Sequence, residues 1–337
     1  MAILVTGGAG YIGSHTCIEL LNSGYEIVVV DNFSNSKPEV IRIIREITNK
    51  TFYFYEGNVE HSPLLEKIFD THQIEAVIHF AGLKSVGESI NNPLKYYQIN
   101  IGSTLVLCEV MREFEVKKLV FSSSATVYGD PQTLPITEDS TTQTTNPYGY
   151  SKLVIENILQ DLYASDKEWS ISILRYFNPI GAHKSGLIGE SPIGIPNNLL
   201  PYIAKVAIGE LEYLAVFGGD YNTNDGTGVR DYLHVVDLSL GHIKALENVL
   251  SSTGVDIINL GTGIGYSVLE IIKAFEKTCG KNINYRIVDR RPGDIAQCYA
   301  DTSKAERVLG WVAKKNIDDM CKDAWRFILN SGSGVGV

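Results

Sequence analysis

The first thirty-two residues constrain this chain most. Ile3-Leu4-Val5 is a short apolar run, and Thr6-Gly7-Gly8-Ala9-Gly10-Tyr11-Ile12-Gly13 follows it into a stretch of helical periodicity. A second apolar run, Ile27-Val28-Val29-Val30, closes on Asp31-Asn32. Strand, glycine turn, helix, strand and terminal acid are the parts of a βαβ unit. The glycines fit two spacings, Gly8-x-Gly10-x-x-Gly13 and Gly7-x-x-Gly10-x-x-Gly13. In either, the missing side chains let the backbone turn tightly and approach a pyrophosphate. The helix start then offers free N–H groups and the positive end of its dipole. The expectation is a dinucleotide site. Asp31 selects its kind, because a carboxylate there accepts from the adenosine ribose hydroxyls and repels a 2′-phosphate. No Arg follows in Asn32-Phe33-Ser34-Asn35-Ser36, so NAD is expected over NADP. The bland alternative is a strand-end Asp that caps a loop.

The same alternation continues. Residues 37–49 carry a helical apolar face, Phe52 to Glu56 reads as a third strand, and Ser62-Pro63 starts a helix with Ser as its cap. Ala76 to Phe80 is a fourth strand, 93–114 a long helix and Lys118 to Phe121 a fifth strand. A further helix begins at Pro147, and Ile171 to Phe177 is a sixth strand. This pattern predicts an α/β fold: a Rossmann-type doubly wound parallel sheet, with ligands beyond the carboxyl ends of its strands. After Asn178 the chain turns rich in Gly, Pro and Asn, then regains core-like patterning at 228–258, with Asp256 to Leu260 as a late strand. The expected division is an NAD-binding domain of 1–178 plus about 228–260. A smaller, interleaved substrate-binding domain takes 179–227 plus about 261–330, and 331–337 is a flexible tail.

Composition narrows the function. A formal net charge of -10 argues against non-specific nucleic-acid binding. Five scattered cysteines, none in a C-x-x-C pair, suit reduced thiols in a cytoplasmic protein. The histidines show no ligand spacing, so no metal is expected. No apolar run approaches a membrane span, and the N-terminus lacks a signal pattern.

Tyr148 and Lys152 lie four apart at the start of the helix that opens at Asn146-Pro147, which puts them on one face. A tyrosine serves as a base when its pKa falls from about 10 toward neutrality, a change of about 4 kcal/mol. An adjacent ammonium and a positively charged nicotinamide both favour the phenolate. Ser124, at the end of the fifth strand, is placed to bond a reacting hydroxyl and share its proton with Tyr148. Ser122 and Ser123 are weaker candidates, and no G-x-S-x-G elbow precedes them.

The strings TGGAGYIGSH, DNFSNS, HFAGLKSVGES, FSSSATVYGD, PYGYSK, RYFNPIGAH, GIPNNL, DGTGVRDYLHV and RPGD together resemble the UDP-galactose (UDP-glucose) 4-epimerases of the extended short-chain dehydrogenase/reductases. The resemblance runs from Met1 to the region of Trp311. It implies a tightly held NAD that returns to its starting state each turnover. Tyr148 takes the proton of the sugar 4-hydroxyl through Ser124, C4 gives up hydride, and the 4-keto sugar turns over before hydride returns.

The resemblance also implies the cofactor contacts. They are Gly7, Gly10, Tyr11, Ile12 and Gly13 at the turn, then Asp31, Asn32, Asn35 and Ser36. Asn58 and Val59 follow the third strand, and Phe80, Ala81, Gly82 and Lys84 the fourth. Asn100, Ser122 and Tyr176 join Tyr148 and Lys152. The UDP-sugar is expected to meet Lys84, Ser124, Tyr148, Phe177, Asn178, Asn198 and Leu199. Phe217 lies near the uracil, Asp294 near its ribose, and Arg230 and Arg291 on the diphosphate.

Three departures stand out. Asn58 replaces a common Asp at the adenine contact, and its carbonyl is expected to accept from the exocyclic amine. In Asn100-Ile101-Gly102-Ser103-Thr104 the glycine sits one place early, and Tyr150 replaces a frequent Lys. Cys298 is the most informative position. Relatives specific for plain hexoses carry a bulky Tyr at this wall, and those accepting 2-acetamido sugars carry a smaller residue. A thiol therefore implies turnover of UDP-N-acetylglucosamine and UDP-N-acetylgalactosamine as well, unless Tyr299 swings in to fill the space. A 4,6-dehydratase needs an acid pair where this chain has Ala125 and Thr126, and a decarboxylase needs the acid missing at 126. A redox sensor that only binds NAD has no need of Ser124, Tyr148 and Lys152 together. The family commonly forms homodimers through two helices, and Leu105, Leu107, Ile155 and Leu159 are the apolar positions expected at that face.

Overall fold

The computed structural model of the chain describes residues 1–191, 198–291 and 293–332. Residues 194–197 of the GIPNNL string, Pro292 of RPGD and tail residues 333–337 lie outside them. Its first strands are β1 (Ala2–Thr6), β2 (Glu26–Asp31), β3 (Tyr53–Glu56), β4 (Ile74–His79), β5 (Lys118–Ser122) and β6 (Ser170–Tyr176). Then come β7 (Asn178–Ile180), β8 (Leu214–Phe217), β9 (Val229–His234), β10 (Gly254–Leu260), β11 (Gly265–Ser267), β12 (Tyr285–Val288) and β13 (Gln297–Cys298). The helices are α1 (Tyr11–Asn22), α2 (Glu39–Thr48), α3 (Ser62–Thr71), α4 (Val86–Asn91), α5 (Pro93–Tyr96) and α6 (Gly102–Glu113). After these come α7 (Pro147–Ser165), α8 (Leu199–Ala207), α9 (Val235–Ser251), α10 (Val268–Cys279), α11 (Ser303–Leu309) and α12 (Ile317–Gly332).

Seven parallel strands form one sheet in the order β10-β6-β5-β4-β1-β2-β3. The order reverses at β1, which pairs with β2 on one side and β4 on the other, through Val5↔Val29 and Val5↔Ile78. That is the topological switch point, where a crevice opens beyond the strand ends. The inner strands β1, β2 and β4 are mostly apolar because helices cover both faces. Ile3, Val5, Ile27 and Val29 pack with Ile18 of α1, Ile44 of α2, Leu238 of α9 and Leu309 of α11. Their neighbours Leu4, Val28 and Val30 point the other way, onto Leu65 of α3, Met111 of α6 and Leu159 of α7. Each such fully buried side chain contributes roughly 1.5–3 kcal/mol.

A second core gathers Leu200 and Ile203 of α8, Val216 of β8, Phe275 of α10 and Met320 of α12. Beside it β9 pairs with β7, β11 and β13, and β8 with β12. A small apolar cluster of Ala125, Val127, Tyr128, Phe177, Cys298 and Ala300 lies between the β5 strand end and β13.

Several local expectations need correction. The 93–114 helix is interrupted by a π-helical turn at Tyr97–Ile101, between α5 and α6. Ser62 is inside α3, His61 is the cap residue, and neither side chain caps the helix. Ser331 and Gly332, assigned to the tail, belong to α12. Leu107, Ile155 and Leu159 are buried against the sheet, so of the four apolar positions expected at the dimer face only Leu105 is exposed.

Candidate functional site

The glycine turn sits at the switch point with no room for side chains. Gly7 has φ +69°, and a Cβ there would meet the Ala81 backbone nitrogen at 2.7 Å. A Cβ on Gly13 would meet the Gly7 carbonyl oxygen at 2.2 Å. Gly10 is the extended N-cap of α1, and the Ser14 N–H donates to its carbonyl. The N–H groups of Tyr11, Ile12 and Gly13 thus form the open end of the helix, where an anion is favoured. Gly7 and Gly13 are the positions where a Cβ would strike backbone. Gly8 packs inward on Val29 and Cys17.

Asp31, buried at the end of β2, is tied to that turn. Its Oδ2 accepts from the Ala9 N–H at 2.9 Å, and its Oδ1 accepts from the Phe33 N–H at 2.9 Å and the Ser36 hydroxyl at 3.1 Å. The carboxylate therefore both caps its own loop and holds the glycine turn. Asn32 donates from Nδ2 to the Asn58 carbonyl at 2.7 Å. That engages the oxygen expected to face an adenine amine, while Val59 is packed in the core behind it. Ala9, Tyr11, Asn35, Ser36 and Lys84 line one open depression of about 460 Å³ with Glu190 on its far wall.

Lys84 does not stand free there. Its ammonium lies 3.3 Å from Glu190 Oε1, and Asn198 Nδ2 donates to the same oxygen at 2.5 Å. Glu190 thereby links the loop after β4 to the start of α8. Asn100, in the π-helical turn, accepts from the Leu83 N–H at 2.7 Å and donates to the Leu83 carbonyl at 3.1 Å and the Ser151 hydroxyl at 3.0 Å. Its amide shapes the Gly82–Lys84 loop and pins it to α7.

The reactive group lies at the end of β5. Asn146 caps α7 by accepting from the Gly149 N–H at 2.9 Å, which leaves Tyr148 and Lys152 on the buried face of the helix. Tyr148 is 7% exposed and Lys152 5%. The Ser124 oxygen accepts from the Thr126 N–H at 3.2 Å and the Thr126 hydroxyl at 2.9 Å. Its hydroxyl stands near enough to Tyr148 to act on the phenol. Burial raises the Tyr148 pKa, and the Ser124 bond pulls it partly back. The expected fall toward neutrality is thus not produced by the protein alone, because desolvation of the phenolate outweighs one hydroxyl donor. Lys152 donates to the Ser122 carbonyl at 2.8 Å and sits over the Phe121 ring, and burial pushes its pKa down to about 8.

Ser122 turns its hydroxyl to His242 Nε2 at 2.8 Å. Burial holds His242 down to about 4, so it is neutral, with Nδ1–H donating to the Leu238 carbonyl at 2.9 Å. Its ring packs on Phe80 and Tyr176, and burial raises the Tyr176 pKa.

Across the crevice, the Arg230 guanidinium donates to the carbonyls of Val229 and Ile295 at 2.8 Å each and of Ala296 at 3.5 Å. It braces the 295–296 backbone. Arg291 stacks on the Phe217 ring with its carbon 4.5 Å from the centroid, and its Nε donates to Asp294 at 3.1 Å. Arg291, Phe217 and Asp294, three of the four residues expected around uracil, ribose and diphosphate, therefore form one cluster. Asn178 is exposed on β7, opposite Tyr232 of β9, and Asn198 and Leu199 open α8.

Cys298 pairs with Arg230 and faces inward with Ala125 and Phe177. Tyr299 points the opposite way, its ring 3.2 Å from where a Cβ on Gly265 would stand. Its ring is thus turned away from Cys298, as strand alternation requires.

Sequence reasoning missed Glu190, Thr126, His242 and the buried Glu156–Arg175 pair. Glu156 alone left a readable signal, since it continues the Tyr148, Lys152 stripe at the next four-residue step. Among the described residues, no group of three or more His, Cys, Asp or Glu side chains is placed to hold a metal, and no helix is long and apolar enough to cross a membrane.

The chain matches the family model described as GDP-mannose 4,6 dehydratase over residues 4–324. It is 63% identical over 334 residues to the UDP-glucose 4-epimerase of Bacillus subtilis, covering 99% of this chain and 98% of that protein. The solved UDP-glucose 4-epimerase of Bifidobacterium longum, in complex with NAD+ and UDP, superposes with a TM-score of 0.96 at 55% identity over all of both chains. That of Stenotrophomonas maltophila, with NAD and a formylated UDP-arabinopyranose, gives 0.97 at 48% identity over 99% of each.

Proposed function

Since this chain belongs to the UDP-glucose 4-epimerase family, we propose that it interconverts UDP-galactose and UDP-glucose at C4 through a 4-keto sugar, with NAD as its cofactor. The residues present fit that cofactor: a cradle that any Cβ at Gly7 or Gly13 would fill, an open helix start, and an acid beside it. Gly10, Tyr11, Ile12 and Gly13 would hold the pyrophosphate, Asp31 the adenosine ribose, and Lys152 the nicotinamide ribose. NAD held there would supply the hydride acceptor for C4 and a cationic ring that favours the Tyr148 phenolate, which the protein alone does not.

The chain's own part is proton transfer and grip. Thr126 holds Ser124 beside Tyr148, and when the sugar 4-hydroxyl takes the place of one Thr126 donor, Ser124 passes that hydroxyl's proton to the phenolate. Lys152, anchored on the Ser122 carbonyl, holds positive charge behind that exchange. Arg230, Arg291, Asn178, Asn198, Leu199, Phe217 and Asp294 hold the UDP, leaving the hexose freer to turn between Phe177 and Cys298. The observation that carries this reading is the buried Ser124–Tyr148–Lys152 group at the carboxyl edge beside the glycine cradle. The dehydratase reading has no comparable support, because the Thr126 hydroxyl is spent on Ser124 and Ala125 offers no acid.

The small side chain of Cys298, with the Tyr299 ring turned toward Gly265 instead, supports N-acetylated UDP-sugars as further substrates. The division into an NAD-binding unit (1–178 with about 228–260) and a UDP-sugar unit (179–227 with about 261–330) is supported by β10 joining the large sheet beside β6. A homodimer is supported by the exposed Leu94, Leu105 and Tyr150 on the α5–α7 side. The five free thiols suit a cytoplasmic setting.

Incubation with UDP-galactose and no added NAD tests the reading. UDP-glucose is the expected product, and the Y148F variant should form it about 10²–10⁴-fold more slowly. A 4-keto-6-deoxy product, no change, or an unaffected Y148F would overturn it.

A further inference from the structure

Tyr148, Lys152 and Glu156 follow one another at four-residue steps down the buried face of α7, and Glu156 is fully buried. Its carboxylate is bound on all sides. Arg175 of β6 donates from Nε to both oxygens at 3.1 Å and from Nη2 to Oε2 at 2.6 Å, and the Ser123 hydroxyl donates to Oε1. Ser123 is the middle residue of the strand end that carries the Ser122 carbonyl bonded by Lys152 and the Ser124 hydroxyl that stands beside Tyr148. Gripping Ser123 on one side of the chain therefore sets where its two neighbours point on the other. Arg175 is itself fixed, stacked on the Tyr128 ring with its carbon at 4.8 Å and donating from Nη1 to the Glu138 carbonyl at 3.3 Å.

The surrounding charges give Glu156 a second effect. Among the described residues around the Lys152 ammonium, His79 of β4 is held down to about 3 and His242 of α9 to about 4, so both are neutral. Burial raises Tyr148 of α7 and Tyr176 of β6, which keeps them uncharged in the protein alone. Arg175 is cationic and turned onto Glu156. The anion that supports the Lys152 charge against burial is Glu156, one helical turn away.

We propose that Glu156, locked by Arg175, is a positioning residue for the reaction: it aims Ser124 at Tyr148 through Ser123 and keeps the Lys152 ammonium charged. This rests on Tyr148, Lys152 and Ser124 being the reacting group. A buried ion pair is weak evidence for stability, since apolar replacements are often neutral or stabilising, so a positional role explains its presence better than a folding role.

The test is a pair of variants, E156Q and E156Q/R175M, made in the NAD-loaded protein. The second leaves no charge buried alone and keeps the fold if the first loses it. Two quantities are read: the alkaline limb of the kcat profile, and the Lys152 titration by NMR of lysine labelled at Cε, with the signal assigned by its absence from K152M. Both midpoints should move down by about one pH unit in E156Q, where the orphaned guanidinium adds to the effect, and by less in the double variant. E156D, which keeps the anion, should hold the parent midpoints while kcat falls. An unmoved Lys152 midpoint in either folded Gln variant would overturn the proposal, because a purely structural loss lowers kcat equally at every pH. A parent without C4 turnover would instead overturn the reading of the site, and the NMR titration would still decide the role of Glu156.

Discussion

Replacing Gly13 with Ala should empty the protein of its cofactor. The new Cβ would stand 2.2 Å from the Gly7 carbonyl oxygen and 2.9 Å from Gly8 Cα, both backbone atoms that no rotamer change can move. Restoring ordinary contact near 3.4 Å requires the start of α1 to withdraw by about 1.2 Å from the turn. A charge-assisted N–H···phosphate bond is lost over such a distance. Two of them at roughly 1.5–3 kcal/mol each make about 3–6 kcal/mol, or about 10²–10⁴-fold in Kd. Overpacking costs about 1–3 kcal/mol of folding stability besides. Gly102→Ala is the control: it lies within a helix with nothing inside 4 Å of its Cβ position, and should stabilise by about 0.5–1 kcal/mol. The assay is NAD released per chain after gel filtration, followed by calorimetric titration of stripped protein. A Gly13→Ala protein with the parent's NAD content and Kd would refute the argument that helix start and glycine turn must touch.

Three further outcomes are expected. Cys298→Tyr, read by product analysis on both substrate pairs, should abolish N-acetyl turnover and spare hexose turnover; equal loss of both would defeat the open-wall reading. Stability should fall in acid. Burial holds His79 down to about 3 and His242 to about 4, below the ordinary 6.5, so their stabilisation is complete above pH 6.5 and is lost as pH falls from there toward those values. It amounts to at most roughly 3–5 kcal/mol each, and denaturant midpoints flat from pH 7 to 4 would contradict it. Leu105→Glu should shift sedimentation toward monomer with NAD still bound, and an unchanged profile would remove that side of α6 from the dimer face.

The βαβ start was legible because three signals coincide within thirty-two residues: two apolar runs, glycines at turn spacing, and a terminal acid. The strand ends carrying Asp31, Ser122 to Ser124 and the Tyr148–Lys152 pair follow from the same alternation of periods. What stayed hidden depends on partners far along the chain. Nothing local to Lys84 announces Glu190, 106 residues away, or to Ser122 announces His242, 120 residues away. The π-helical turn at 97–101 has the apolar pattern of an ordinary helix, and its reason appears only when Asn100 reaches the Leu83 backbone. Leu107, Ile155 and Leu159 show the same limit. Helical spacing tells that a residue has an apolar neighbour, not whether that neighbour is the sheet or a second copy.

The most direct measurement follows the hydrogen at C4. UDP-glucose deuterated there is turned over by the purified protein in ordinary water, with no nicotinamide added, and the product is analysed by NMR. UDP-galactose that keeps its deuterium at C4 is the predicted result, because the site closes on one cofactor and hands the same hydride back. Deuterium replaced by solvent hydrogen, or moved to another carbon, would contradict the account at its centre.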